Sequence, residues 1–201
     1  GSHGEGGGAI LRQALGFSML LQKPVEIVNI RANRPKPGLS HQHLAVLNAA
    51  HQACNARVEG NRVGATVVRF DPGPFDKRKL DIDIGTAGSI TLLLQAFLLP
   101  ALFSGKPFEI KVRGGTDVSW SIPVDYFHFV LLPQLKKYAK VELKMLKRGY
   151  YPKGGGQVVF SAKPLRDSFT NAPPIRLANP GTLFKIAGVS HASQDLAPTD
   201  V

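Results

Sequence analysis

Cysteine is nearly absent from this chain: Cys54 is the only one in 201 residues. That excludes an intrachain disulfide and any zinc site built on several thiolates, and it points to a reducing compartment. Long apolar runs are also missing. The most apolar stretch, residues 90–103, is 14 residues long and contains Gln95 and Pro100. It is too short to span a bilayer, so it predicts a buried helix. No secretory signal pattern stands in the sequence, which leads us to expect a cytoplasmic protein, or a nuclear one in a eukaryote. The P-loop lysine motif, the nucleophile-elbow serine and a Cys–His pair are absent as well. Acidic residues are scarce: 14 Asp and Glu stand against 25 Lys and Arg, for a net charge of +11 and a pI near 10.0. Solubility alone can account for such a charge. With no basic amphipathic helix in view, a nucleic acid is favoured over a membrane surface as partner.

What is present is a globular composition, 43% hydrophobic and 19% charged, in a chain long enough for one or two domains. Two segments resemble each other. Lys23-Pro24-Val25-Glu26-Ile27 returns as Lys106-Pro107-Phe108-Glu109-Ile110, 83 residues on from Pro24 to Pro107. Each copy follows an apolar helical stretch opened by small residues, and each precedes another helix and paired strand-like runs. The repeat predicts an α/β (α+β) fold of tandem units. The first unit, residues 1–72, reads as helix 8–22, strand 25–31, helix 40–56 and strands 57–60 and 65–70. Ile10, Ala14, Phe17 and Leu21 follow helical spacing in its first helix; Leu44, Leu47, Ala50 and Cys54 do so in its second. The second unit, residues 79–163, reads as strand 80–84, helix 88–103, strand 108–113, helix 123–138 and strands 141–146 and 157–162. The first unit lacks a counterpart of strand 80–84. A connector rich in Pro and Asn covers 164–181. Residues 182–189 read as the first strand of a third unit, within a last segment 182–201. Both ends therefore suggest a truncated third unit and an incomplete first one.

Four constellations can carry chemistry. The run Gly4-Glu5-Gly6-Gly7-Gly8 opens the first helix, with Arg12 one turn in. Glycines let backbone approach a ligand, a helix N-terminus offers N–H groups to an anion, Glu5 suits a divalent cation and Arg12 a phosphate. A turn or tag linker is the plainer reading of the same run, and Gly1-Ser2-His3 reads equally as tag remnant or native sequence. Second, Arg31, Arg34 and Lys36 fill a loop stiffened by Pro35 and Pro37 before Ser40, a good N-cap. The next helical turn holds His41, Gln42 and His43, and the whole suits phosphate. His41 and His43 lie about 200° apart on a helix and cannot share a metal. Third, Gln95 is a lone amide in an apolar helix, suited to a backbone partner or a ligand base; Pro123 opens a later helix. Fourth, residues 147–156 interleave Lys147, Arg148 and Lys153 with Tyr150, Tyr151 and four glycines. Such a stretch either joins two strands as a hairpin or stacks a base and holds its phosphate.

Taken together, Gly4–Gly8, Ile30–Arg34, Pro37–Leu39, Gln42–Leu44, Ile84–Ser89, Gly114–Asp117 and Arg148–Gly156 resemble the RNA 3′-terminal phosphate cyclase family in order and spacing. The resemblance implies repeated units, each a four-stranded sheet backed by two helices as in the enolpyruvate transferases, with a small domain inserted in the third. It implies ATP and a divalent metal, Mg or Mn, as cofactors and an RNA with a 3′-phosphate end as partner. A histidine becomes adenylated, AMP passes to the RNA 3′-phosphate, and the ribose 2′-hydroxyl closes a 2′,3′-cyclic phosphate. Glu5 matches the metal and phosphate carboxylate. Arg12, Arg31, Arg34, Gln42 and His43 match the essential polar set, and Arg31, Arg34, Lys36, Arg148 and Lys153 are the RNA and phosphate candidates. Gly6, Gly7, Gly8, Gln95 and Pro123 match ATP-binding positions. Two departures stand out. Ala9 replaces the Gln usual after the glycines, and none of the six histidines matches the adenylated one, His191 coming too early. The chain thus resembles the amino-terminal part of a cyclase. A non-catalytic cyclase-like RNA binder of ribosome assembly is the second reading, disfavoured by Glu5, Arg12, Arg34 and His43. An enolpyruvate transferase is a distant third. An assembly of identical chains is compatible with the first reading; a membrane is not part of it.

Overall fold

The computed structural model describes residues 7–193 and residue 196. Glu5 and Gly6 lie outside the described residues. Among the described residues the chain is a mixed α/β fold with two sheets and four helical segments. Helix α1 is Gly8–Leu21, α2 is His41–Cys54 and α3 is Ile90–Phe103. Strands β1 (Val25–Ile27), β2 (Arg57–Glu59) and β3 (Val68–Asp71) form one antiparallel sheet in the order β1-β3-β2. Strands β4 (Lys79–Asp83), β5 (Phe108–Gly114), β6 (Ala139–Lys147) and β7 (Gly156–Pro164) form the second, in the order β4-β5-β7-β6. Only the β4–β5 pair is parallel. With β4 set aside, the second sheet has the strand order and directions of the first. The four-stranded unit is therefore seen once, and the first sheet has three strands among the described residues.

The helices lie where periodicity puts them, but the face that α1 buries differs. Leu11, Leu15 and Met19 are buried, whereas Phe17 and Leu21 are exposed. The reason is α3. Gly16 comes so close to Ala96 that a Cβ there would stand 2.8 Å from the Ala96 carbonyl oxygen. That close approach turns the Leu11–Leu15–Met19 stripe into the core. In α2 the expected Leu47, Ala50 and Cys54 are buried. Residues 90–103 form the buried helix expected, and no helix among the described residues is long and apolar enough to cross a membrane. Phe97 stacks on Phe108 at 5.7 Å between ring centroids, tying α3 to β5.

Three expectations fail. Strand 25–31 stops at Ile27, because Asn29 and Arg31 take left-handed backbone (φ 52° and 54°), which no extended strand accommodates. Residues 28–38 instead form turns closed by the Gly38 N–H on the Ile30 carbonyl at 2.8 Å. Helix 123–138 is broken: Val124–Tyr126 and Leu132–Leu135 flank a π-turn, Phe127–Leu131, and Pro123 is the N-cap. Residues 182–189 are exposed coil, not strand; no strand among the described residues stands beside them to pair with their amides.

Candidate active site

The N-terminus of α1 is the centre of the site. Gly7 is its N-cap, and having no side chain it makes no cap hydrogen bond to the first-turn amides. A Cβ on Gly8 would stand 1.9 Å from His43 Nε2 and 3.1 Å from Arg12 Nη1, and a Cβ on Gly7 3.9 Å from Arg34 Nη2. Glycine at Gly8 is thus what lets the imidazole and guanidinium come up to the helix end. Four positive or polar groups from three elements, Arg12, Arg34, His43 and the α1 amides, face one point.

Each is held by local structure. Ser40 precedes α2, and its N–H donates to His43 Nδ1 at 3.3 Å while its Oγ lies 2.6 Å from the same atom. Since Nδ1 accepts from that amide, the ring proton is on Nε2, aimed at the α1 end. His43 is only 9% exposed. Burial, then the charges of Arg31 and Arg12, push its pKa down to about 4, so the ring is neutral near pH 7. Arg31 lies in the 28–38 loop and donates Nη1 to the Gly38 carbonyl at 2.8 Å. Arg12 is desolvated by burial, which lowers its pKa, and its Nε is buried with no hydrogen-bond partner among the described residues. A half-buried guanidinium whose Nε has no partner among the described residues can take an anion. Lys36 is exposed in the same loop.

Gln42 ties this centre to the second sheet. Its Nε2 donates to the Ser89 carbonyl at 3.0 Å, and Ser89 pairs with Gly115. Gln95 lies on α3 in a cleft of about 240 Å³ that it shares with Arg12, Ala9 and a wall of leucines. That cleft is mostly apolar, with Arg12, Gln13 and Gln95 as its polar lining, the make-up of a small-molecule pocket. Pro123 is exposed and outside its lining, although Thr91, one turn before Gln95, donates to the neighbouring Ile122 carbonyl at 2.7 Å.

Arg148 and Lys153 are elsewhere. They line a second cleft of about 510 Å³ with Tyr150, Tyr151 and His191. Arg148 donates to both Asp125 oxygens, at 2.7 and 3.2 Å, and lies 3.5 Å from Asp117 and 2.9 Å from His191 Nε2. Tyr150 OH is 2.7 Å from His191 Nδ1. This pairing raises the pKa of Arg148 and lowers that of Asp125. Asp117, Asp125 and His191 have metal-ligand spacing, but the guanidinium already supplies the cation there. From sequence, Asp117 reads only as a cap within the Gly114–Asp117 run and Asp125 is passed over; neither pairing shows locally, because the two aspartates lie 31 and 23 residues from Arg148. The signal available was a carboxylate on each side of Pro123.

The family model described as RNA 3'-terminal phosphate cyclase matches residues 3–197. The chain belongs to that family. Its relatives include proteins named RNA 3'-terminal phosphate cyclase from three archaea. The Methanopyrus kandleri protein is 48% identical over 95% of this chain and 53% of its own length. The Archaeoglobus fulgidus protein is 53% identical over 82% and 50%, and the Pyrococcus furiosus protein 46% identical over 96% and 56%. The chain spans about half the length of the curated relatives it matches. The cyclase-family match covers both clefts and every site residue discussed above.

Proposed function

We propose that this chain supplies the nucleotide- and RNA-end-binding half of an ATP-dependent RNA 3′-terminal phosphate cyclase, made of tandem α/β units like those of the enolpyruvate transferases. The reaction converts an RNA 3′-phosphate to a 2′,3′-cyclic phosphate through a histidine adenylate and an RNA adenylate. The observation that carries the reading is the meeting of Arg12, Arg34 and His43 at the N-terminus of α1, with Gly8 making room. The matching strand orders of the two sheets support the repeat.

The residues divide the work by chemistry. Arg12 and Arg34 neutralise phosphoryl oxygens, where charge grows during transfer. His43, neutral and donating from Nε2, adds a fixed hydrogen bond without a second positive charge. Arg31 braces the loop through Gly38. Gln95 and the leucine wall suit a base, and the fit of ATP rests on that cleft lying beside Arg12. Glu5 is the carboxylate for Mg or Mn; lying outside the described residues, it carries no step here. Incubation of the full-length chain with radiolabelled ATP and metal should leave a covalent AMP adduct, and a 3′-phosphorylated RNA should become resistant to phosphatase. RNA binding without either product would leave the cyclase-like binder instead.

A further inference from the structure

We infer that Trp120, with Tyr151, is a stacking platform for the bases of a single-stranded RNA whose 3′ end lies at the α1 site. The proposal deepens the cyclase reading and rests on it for the polarity of the strand. Trp120 is 99% exposed and Tyr151 81%. Aromatic rings of this size normally bury their faces, and neither ring contributes to the core. Trp120 also has φ 66°, a left-handed backbone that a bulky residue rarely takes. The turn around it is pinned: Ser121 Oγ donates to the Val118 carbonyl at 2.9 Å, and the Val124 N–H to the Thr116 carbonyl at 3.0 Å. Backbone that costs free energy, held so that a large ring faces water, indicates a ligand.

The chain's connectivity leads from the candidate active site to this ring. Gln42, next to His43, donates to Ser89; Ser89 pairs with Gly115; Thr116 N–H donates to the Gly149 carbonyl at 2.8 Å; Asp117 pairs with Tyr150. Trp120 is three residues from that last joint and Tyr151 one. Their backbones are therefore no more than about 20 Å apart, a span of a few nucleotides. Lys147 and Lys153 line the cleft that holds Tyr151, and a chain of net charge +11 complements a polyanion. Aromatic faces beside a basic groove bind single strands with little regard to sequence, each stack being worth about a tenfold change in affinity or more. A protein partner would not need the cations, and a duplex would hide the base faces.

The test is fluorescence anisotropy on the full-length chain with 5′-labelled single-stranded RNAs ending in 3′-phosphate, one of two nucleotides and one of ten. Trp120→Ala should weaken the ten-nucleotide RNA about tenfold and leave the dinucleotide, ATP binding and the salt slope unchanged. Trp120→Phe should restore most of the affinity, and Tyr151→Ala should weaken the long RNA to a lesser degree. An exposed ring carries no core packing, and unchanged circular dichroism would verify that. Equal affinity of Trp120→Ala for the long RNA overturns the platform. So does an equal loss for the dinucleotide or ATP, which would place the ring at the reacting centre. A wild-type chain indifferent to a 3′-phosphate, yet weakened on long RNA by Trp120→Ala, would keep the platform and overturn the cyclase reading. Binding to neither RNA overturns both.

Discussion

Gly8→Ala tests the site at its tightest point. The new methyl would stand 1.9 Å from His43 Nε2, which is 1.5 Å short of the 3.4 Å where ordinary contact begins. The imidazole has no slack, because Ser40 holds Nδ1 from its N–H and its Oγ. Moving the ring breaks both interactions, at about 1 kcal/mol each. Alanine returns at most about 1 kcal/mol of helix propensity, and less at the first helical position. The net loss is about 1–2 kcal/mol, a fall in Tm of about 2–8 °C for a chain of this size. The effect on chemistry is larger, since displacement of a positioning group by about 1 Å costs on the order of a hundredfold in rate. Calorimetry and a cyclisation assay on the full-length chain measure both. Gly7→Ala is the control for stability: among the described residues its methyl meets Arg34 Nη2, at 3.9 Å, and should leave Tm unchanged. Gly8→Ala with wild-type Tm and rate, or Gly7→Ala equally destabilising, would refute the geometry.

Acid should act through His43. Its folded pKa of about 4 lies below the ordinary 6.5, so the neutral ring's contribution is complete above pH 6.5 and is lost as pH falls toward 4, about 3 kcal/mol in all. Thermal unfolding between pH 7 and 4.5 should therefore fall more steeply for wild type than for His43→Asn, and parallel curves would sink the idea. Arg31→Ala and Arg34→Ala should each weaken binding of 3′-phosphorylated RNA and lower the salt slope by about one where the side chain meets phosphate; an unchanged slope would show that it does not. Gly38→Ala should cost about 2–4 kcal/mol, because φ is 83° and the methyl would run into the Gly64 carbonyl. Gly64→Ala, at φ 81° with nothing within 4 Å, should cost only about 1 kcal/mol in the same denaturant titration.

Helices were the most legible elements, because α1, α2 and α3 each carry apolar residues at helical spacing and end on residues that leave the helix. Which face of α1 is buried was not legible. It depends on the Gly16–Ala96 approach, made by residues 80 positions apart. The strand at 182–189 was read from local composition, yet a strand exists only where a neighbour accepts its hydrogen bonds. At the site, the residue types around α1 and α2 were readable: glycine before a helix, arginines in a stiff loop, Ser40 before His43. The tautomer of His43 and the clearance at Gly8 were not, since both depend on distances of a few tenths of an ångström. A basic residue beside glycines and tyrosines suggests phosphate; the structure adds ion pairs from Arg148 to Asp117 and Asp125, and no local pattern announces a pairing across the ends of β5 and β6.

The site's geometry depends on the crossing of α1 and α3. Arg12 lies one turn before Gly16 on α1, and Gln95 adjoins Ala96 on α3, so the Gly16–Ala96 contact sets the separation of Arg12 and Gln95 across the leucine cleft. The hydrogen bond from Gln42 to Ser89 fixes the same two halves at their other end, beside His43. Two short links, 3.0 Å between Gln42 and Ser89 and backbone contact at Gly16, thus hold the Arg12–Arg34–His43 cluster beside a leucine-walled cleft that α1 and α3 line together, so a change at either link alters the cluster and the cleft at once.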